Sequence, residues 1–219
     1  MSDWKRPLRI LDLCTGTGCI PLLLASLLPS HSAEFYGLDV NPRAISLARR
    51  NKKYNQAKIR NSVSFYNLDM FFTQALLDWT MYVTHGQGWD LITCNPPYVT
   101  LKEWAKTEPH VRQWESRKAL VPKHDQGGFL RDPHAMTFYY RIIELSRSKM
   151  KNQSCFLNYG VAQEVSFKHD GMVRLAIEVG QYHQAVRFRD ALQQNKKAFS
   201  DIRIRKDGSG RCRSVFIYS

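Results

Sequence analysis

The chain is 219 residues long, 43% apolar and 23% charged, which suits one domain with a sizeable core. No apolar run reaches the roughly 20 residues that span a bilayer; the longest, Ile20 to Leu28, is broken by Pro21 and Ser26 and reads as a buried helix. The net charge of +13 suits polyanionic company such as nucleic acid or ribosomes, and equally a solvated surface in a basic compartment.

The opening MSDWKRPLRILDL shows neither a signal peptide nor an Arg/Ser-rich transit segment; it enters core-like sequence within about eight residues, as if a usual front end were missing. Residues 8 to 14, LRILDLC, suit a central parallel strand. Gly16, Thr17 and Gly18 follow, then an apolar helix to about Leu28, closed by Pro29-Ser30. A second strand is expected at 34 to 40, EFYGLDV, and Asn41-Pro42 then supplies an N-cap with proline at the first helical position. The helix from Pro42 to Lys53 turns Ile45, Leu47 and Ala48 inward and its cations outward. Residues 62 to 66 form a third strand, with a helical stretch near Phe72 to Tyr82; Gly86 and Gly88 precede a fourth strand, WDLITC, at 89 to 94. Beyond it a long polar and aromatic loop runs to about Gly128, long enough to act as a functional lid.

Asp132-Pro133 opens a helix over 133 to 149. Residues 148 to 171 break the rhythm and read as an insertion. Strand five follows at 172 to 179, then a helix from Gln181 to Gln194 and a hairpin, FSDIRIRKD and RCRSVFIYS, around Gly208-Ser209-Gly210. Alternating strand and helix predicts an α/β fold, a mostly parallel sheet with an antiparallel C-terminal hairpin, in one domain over 1–219; a monomer is the expected state. Five cysteines with no CxxC pair argue against a disulfide framework or a zinc site and for a reducing compartment.

In such sheets ligands sit at the carboxyl ends of the strands, where strand order reverses. DLCTGTG, Asp12 to Gly18, is a glycine-rich strand-to-helix turn that lets backbone close on a ligand. It lacks the third glycine of GxGxxG and the lysine of a phosphate-binding loop, which counts against NAD and nucleoside phosphates. Asp39 ends strand two, where a carboxylate can accept both ribose hydroxyls; capping the next helix is its other reading, a role Asn41 already fills. Asp69 ends strand three, placed to reach an adenine edge or to serve as a turn residue. This set suits adenosine without phosphates, as in S-adenosyl-L-methionine, whose sulfonium tolerates acidic surroundings. Cys14 and Cys19, flanking the turn, are expected to pack as small core residues.

At the end of strand four stands CNPPYV, residues 94 to 99. Prolines cannot donate to a sheet ladder, fix their own φ and extend the preceding residue. The Asn95 side-chain oxygen and the Pro96 carbonyl can therefore accept both hydrogens of an NH2 group, and Tyr98 can stack beside it. An amide or aromatic amine is a poor nucleophile because its lone pair is delocalised, and holding both N–H bonds orients its nitrogen for methyl transfer.

DLCTGTG, GLDVNPRAISLARRN, NLDMF and NPPYV in this order resemble class I S-adenosylmethionine-dependent methyltransferases. With VRQWESRKALVPKHDQGG at 111 to 128, LAIEVGQYHQAVRFRDAL and DIRIRKDGSGRCRSVFI, the chain is similar over nearly its whole length to the HemK-type release-factor glutamine methyltransferases. That resemblance implies a Rossmann-like sheet and methylation of the glutamine in the GGQ motif of class 1 peptide release factors. It implies cofactor contacts from Cys14, Thr15, Gly16, Thr17, Gly18, Asp39, Asp69, Met70 and Asn95, with Asn95, Pro96, Pro97 and Tyr98 holding the glutamine. The family's N-terminal helical domain has no counterpart in the sequence. The insertion and the basic charge point to the mitochondrial branch, with the cytoplasm as the other expected location. Two rivals stand beside this reading. One is an N6-adenine nucleic-acid methyltransferase, with phosphate contacts from Arg49, Arg50, Lys52 and Lys53 or from Arg203, Arg205, Lys206, Arg211 and Arg213. The other is a non-catalytic fragment.

Overall fold

The structure, a computed structural model, describes residues 6–122, 134–147, 173–193 and 201–218. Strand β1 (Leu8–Leu13) leads through the glycine turn into α1 (Cys19–Leu27). Then come β2 (Ala33–Asp39), α2 (Pro42–Tyr54), β3 (Ser62–Asn67), α3 (Thr73–Thr84) and β4 (Leu91–Cys94). Three short helices follow, α4 (Leu101–Lys106), α5 (Pro109–Trp114) and α6 (Arg117–Leu120), then α7 (Thr137–Arg147), β5 (Val173–Glu178), α8 (Tyr182–Gln193), β6 (Asp201–Lys206) and β7 (Cys212–Tyr218).

The strands lie in the order β3-β2-β1-β4-β5-β7-β6. All neighbours pair parallel except β7, which runs antiparallel to both β5 and β6. The order reverses between β1 and β4, the point where such sheets open a crevice at their carboxyl ends. Strand periodicity sends alternate residues to opposite faces. Ile10 joins Phe35, Val63 and Phe65 in a core under α1 and α2, with Ala25, Ile45 and Ala48. Leu11 and Leu13 join Ile92, Leu175 and Ile177 in the larger core, capped by Leu76, Tyr139, Ile142 and Phe188. The predicted α/β architecture and antiparallel hairpin are both present.

Three local differences have physical causes. The expected loop after NPPY is helical in three pieces up to Leu120. Each piece is too short for hydrophobic periodicity to reveal, but two carry start signals: a capping box between Thr100 and Glu103, and Pro109 in the first turn. The helix expected from residue 133 starts at Thr137, because Ala135 sits at φ 53°, a left-handed conformation that cannot continue a helix. Cys19 is exposed rather than packed in the core, its Sγ 3.2 Å from the Thr17 hydroxyl. The expected insertion at 148–171 and the Asp132-Pro133 opening lie outside the described residues. Among the described residues, no helix is long and apolar enough to cross a membrane.

Candidate active site

At the carboxyl end of β1 the chain turns sharply, with positive φ at Cys14 (57°), Gly16 (55°) and Gly18 (80°). Two nearby glycines are required by packing: a Cβ on Gly18 would come 2.6 Å from the Phe65 ring, and one on Gly37 would come 2.7 Å from it. Gly16 differs, since a Cβ there would meet nothing within 4 Å. Its left-handed φ explains the glycine, and its bare backbone faces open space.

The turn is tied to β2 and α2. Thr15 N–H donates to the Leu38 carbonyl (2.9 Å) and the Asn51 side chain to the Thr17 carbonyl (3.0 Å). Asp39 is the main staple: one carboxylate oxygen accepts from Gly16 N–H (2.9 Å), the other from Asn41 N–H (2.8 Å). Asn41 caps α2 through Arg43 N–H. A carboxylate offers about four acceptor sites, so Asp39 keeps capacity for two hydroxyls. Val40, the next residue, is 64% exposed, an apolar surface beside that carboxylate.

The β3–α3 loop forms the next wall. Asp69 takes the turn role: its carboxylate accepts from Phe71 N–H (2.9 Å) and its carbonyl from Phe72 N–H (3.2 Å). Met70 is buried, its sulfur 4.0 Å from the Cys14 thiol. Its carbonyl is held by Arg141 Nε (2.8 Å), and the same guanidinium reaches the Thr73 hydroxyl and Glu144. Arg141 lies on α7, remote in sequence, and nothing in the sequence singled it out.

Asp12 lies beneath the turn, fully buried in β1, and accepts a 2.6 Å bond from the Thr93 hydroxyl of β4. Burial pushes its carboxyl up to about 6, against the pull of the Thr15 and Thr93 hydroxyls and with Asp39 adding repulsion. Burial, with Cys14 as hydrogen-bond partner, also raises the Cys94 thiol well above its ordinary range. Cys94 is therefore a neutral packing group.

Leu13 and Cys94 are register partners, so the glycine turn and NPPY leave the sheet side by side. Pro96 and Pro97 are buried and Asn95 is exposed. Among the described residues no hydrogen bond engages the Asn95 side chain or the Pro96 carbonyl. Tyr98 is fastened behind them. Its hydroxyl donates to Glu178 (3.3 Å), and its ring leaves no room for a Cβ on Gly180, which would fall 2.5 Å away. Burial, then Glu178, keeps the phenol protonated by raising it above its ordinary range. Gln184, buried on α8, donates to the Tyr98 carbonyl and the His134 carbonyl (2.9 Å each) and accepts from Gly180 and Gln181 N–H (3.1 Å each). Sequence reasoning missed Gln184, Glu178 and Gly180. A glycine between an apolar strand and a helix was the visible signal, and it pointed to a close approach without naming the partner.

Part of the basic surface is engaged internally. Arg203 pairs with Asp201 and lies over the Tyr218 ring at 4.8 Å, while Arg211 and Arg213 share Asp207 at 3.3 and 3.1 Å. Arg49 donates to the Phe65 carbonyl (2.8 Å).

A family model described as a methyltransferase domain matches residues 5–155. The release factor glutamine methyltransferase of Bacteroides thetaiotaomicron is 32% identical over 65% of this chain and 44% of its own length. A probable mitochondrial N(5)-glutamine methyltransferase of Schizosaccharomyces pombe is 28% identical over 97% of this chain and 60% of its own. The chain thus spans about half the length of the curated relatives it matches. Among solved structures, the N-terminal domain of human METTL16 in complex with SAH shares the fold, with a TM-score of 0.52 at 16% identity over 99% of this chain and 63% of that one.

Proposed function

This chain belongs to the methyltransferase-domain family, and we propose that it transfers a methyl group from S-adenosylmethionine to the side-chain amide nitrogen of the glutamine in the GGQ motif of a class 1 peptide release factor. The observation that carries this reading is the pair of acceptors, the Asn95 amide oxygen and the Pro96 carbonyl, left unengaged among the described residues beside the glycine turn. The names of the curated relatives support the substrate, and that of the Schizosaccharomyces pombe relative supports a mitochondrial release factor as the first to try.

The residues fit the cofactor. Gly16 offers bare backbone, the Asp39 carboxylate has two acceptor sites for ribose hydroxyls, and exposed Val40 with buried Met70 offers apolar surface for adenine. When bound, S-adenosylmethionine supplies an electrophilic methyl group on a sulfonium. The chain's own part is positioning. Asn95 and Pro96 accept the two amide N–H bonds, turn the nitrogen lone pair towards the cofactor side of the cleft and favour its tetrahedral, partly cationic form. Pro96 and Pro97 fix the backbone at low conformational cost. Tyr98, clamped by Glu178 and Gln184, closes the back of the pocket as a positioning residue. The proton leaves to water after transfer, so no strong base is needed.

The test is radiolabelled methyl transfer to a purified mitochondrial-type release factor and to its GGQ-to-GGA variant. Label on the first and not on the second is expected. Label on adenine-containing nucleic acid and on neither protein would overturn the reading.

A further inference from the structure

Residues 41 to 68 hold seven cations, Arg43, Arg49, Arg50, Lys52, Lys53, Lys58 and Arg60, and no acid. All seven are exposed. Arg49 is tied to β3; among the described residues the other six meet no carboxylate. Tyr54, which ends α2, is 91% exposed. Arg50, Lys53 and Tyr54 are spaced i, i+3 and i+4, which puts them on one face, opposite Ile45 and Ala48, which face the sheet.

Helix stability does not account for this surface. Lys52 and Lys53 in the last turn complement the helix dipole, but Arg43 in the first turn opposes it, and no acid stands there to offset it. Arg49 and Lys53, as well as Arg50 and Lys53, are like charges at neighbouring helical positions, an unfavourable arrangement. The C-terminal hairpin shows the alternative, since three of its arginines are neutralised by Asp201 and Asp207.

We propose that the face formed by α2 and the segment to Arg60 binds single-stranded RNA, its cations following the phosphates and Tyr54 stacking on an unpaired base. Charge complementarity fixes the partner as a polyanion, and four of the seven cations are arginines, suited to bidentate phosphate contact. A lone exposed ring at the helix end suits a splayed base, as RNA loops provide. An anionic membrane fits less well, because the apolar face of α2 is spent on the sheet and Leu47 and Tyr54 are the only large apolar side chains exposed on this segment. The face lies at the β3 edge of the sheet, with β2 and β1 between it and β4 with NPPY, so bound RNA leaves the cleft open.

The experiment is fluorescence anisotropy of the full chain with a labelled uridine oligomer of roughly twelve nucleotides, over a series of salt concentrations. Wild type should bind with a strong salt dependence. The Arg50→Ala/Lys52→Ala/Lys53→Ala variant should lower the log–log salt slope by about 2, at about 0.7 per lost phosphate contact. Tyr54→Ala should weaken binding about tenfold at unchanged slope. S-adenosylmethionine affinity should match wild type in both variants, and neither should melt below it. Binding that survives them but is lost in Arg205→Ala/Lys206→Ala would overturn the proposal. So would equal affinity for duplex DNA of the same length, or binding to phosphatidylserine vesicles without binding to RNA.

Discussion

At the ends of β1 and β2 the Asp39 carboxylate already holds two backbone amides, whereas at the end of β4 the Asn95 amide holds none among the described residues. The first region is built by neighbours along the chain, a glycine turn and the next strand, and its ligand groups are ordered before any ligand arrives. The second is built from a distance. NPPY is rigid by its own prolines, yet it is aimed by Gln184, Glu178 and Gly180, 80 to 86 residues beyond Tyr98. Cofactor affinity and transfer rate should therefore separate by mutation.

Asn95→Ala should separate them most clearly. Removing one preorganised partner of the reacting group costs about 10²–10³-fold in rate, while cofactor affinity by calorimetry should stay near wild type, because Asn95 is exposed and its side chain holds no bond among the described residues. Equal losses in both would merge the two regions into one.

Asp12 gives the next largest effect, and it acts on stability. Its carboxyl sits at about 6 in the fold against an ordinary 3.8, so the folded chain binds this proton more tightly than the unfolded one. That stabilising contribution is complete below about pH 4 and is lost as pH rises through about 6. Relative to Asp12→Asn, which cannot titrate, wild type should lose about 3 kcal/mol across that window. Thermal melts of both proteins at several pH values measure it. A constant difference would mean that the Thr93 and Thr15 hydroxyls hold the carboxyl near its usual range.

Asp39→Ala should weaken cofactor binding about 10- to 100-fold, through lost charge-assisted bonds and a freed Gly16 amide. At saturating cofactor its transfer rate should be near wild type. Gln184→Met keeps the volume but strands the Gly180 and Gln181 amides and two carbonyls. It should lower transfer about tenfold and stability by about 2 kcal/mol, with cofactor affinity retained. Tyr98→Phe removes one half-exposed bond to Glu178 and should lower transfer less than about fivefold. A larger loss would give the hydroxyl a direct part in the reaction.

The succession of strands along the chain, the glycine turn, Asp39 and NPPY could be read from sequence because each is a local pattern: an apolar run, a residue permitting positive φ, an acid at a strand end, a pair of prolines. Asp69 was legible as a position only, since its short side chain serves its own turn as readily as a ligand. The buttresses were not legible. Gln184 looks like any polar residue on an amphipathic helix, and Arg141 like any surface cation. Only the docking of α7 and α8 against the sheet buries them and gives them backbone partners. The short helices after NPPY escaped for a related reason, as four to six residues show caps but no period.

The central claim is that Asn95 and Pro96 hold both hydrogens of a glutamine amide. It is tested most directly by nuclear magnetic resonance of a GGQ peptide, its glutamine side chain labelled with nitrogen-15, added to the full chain with unreactive S-adenosylhomocysteine. Both side-chain amide protons should shift on binding, and Asn95→Ala should remove the shift while S-adenosylhomocysteine still binds. Resonances that stay put with wild type, or that move equally with Asn95→Ala, would contradict it.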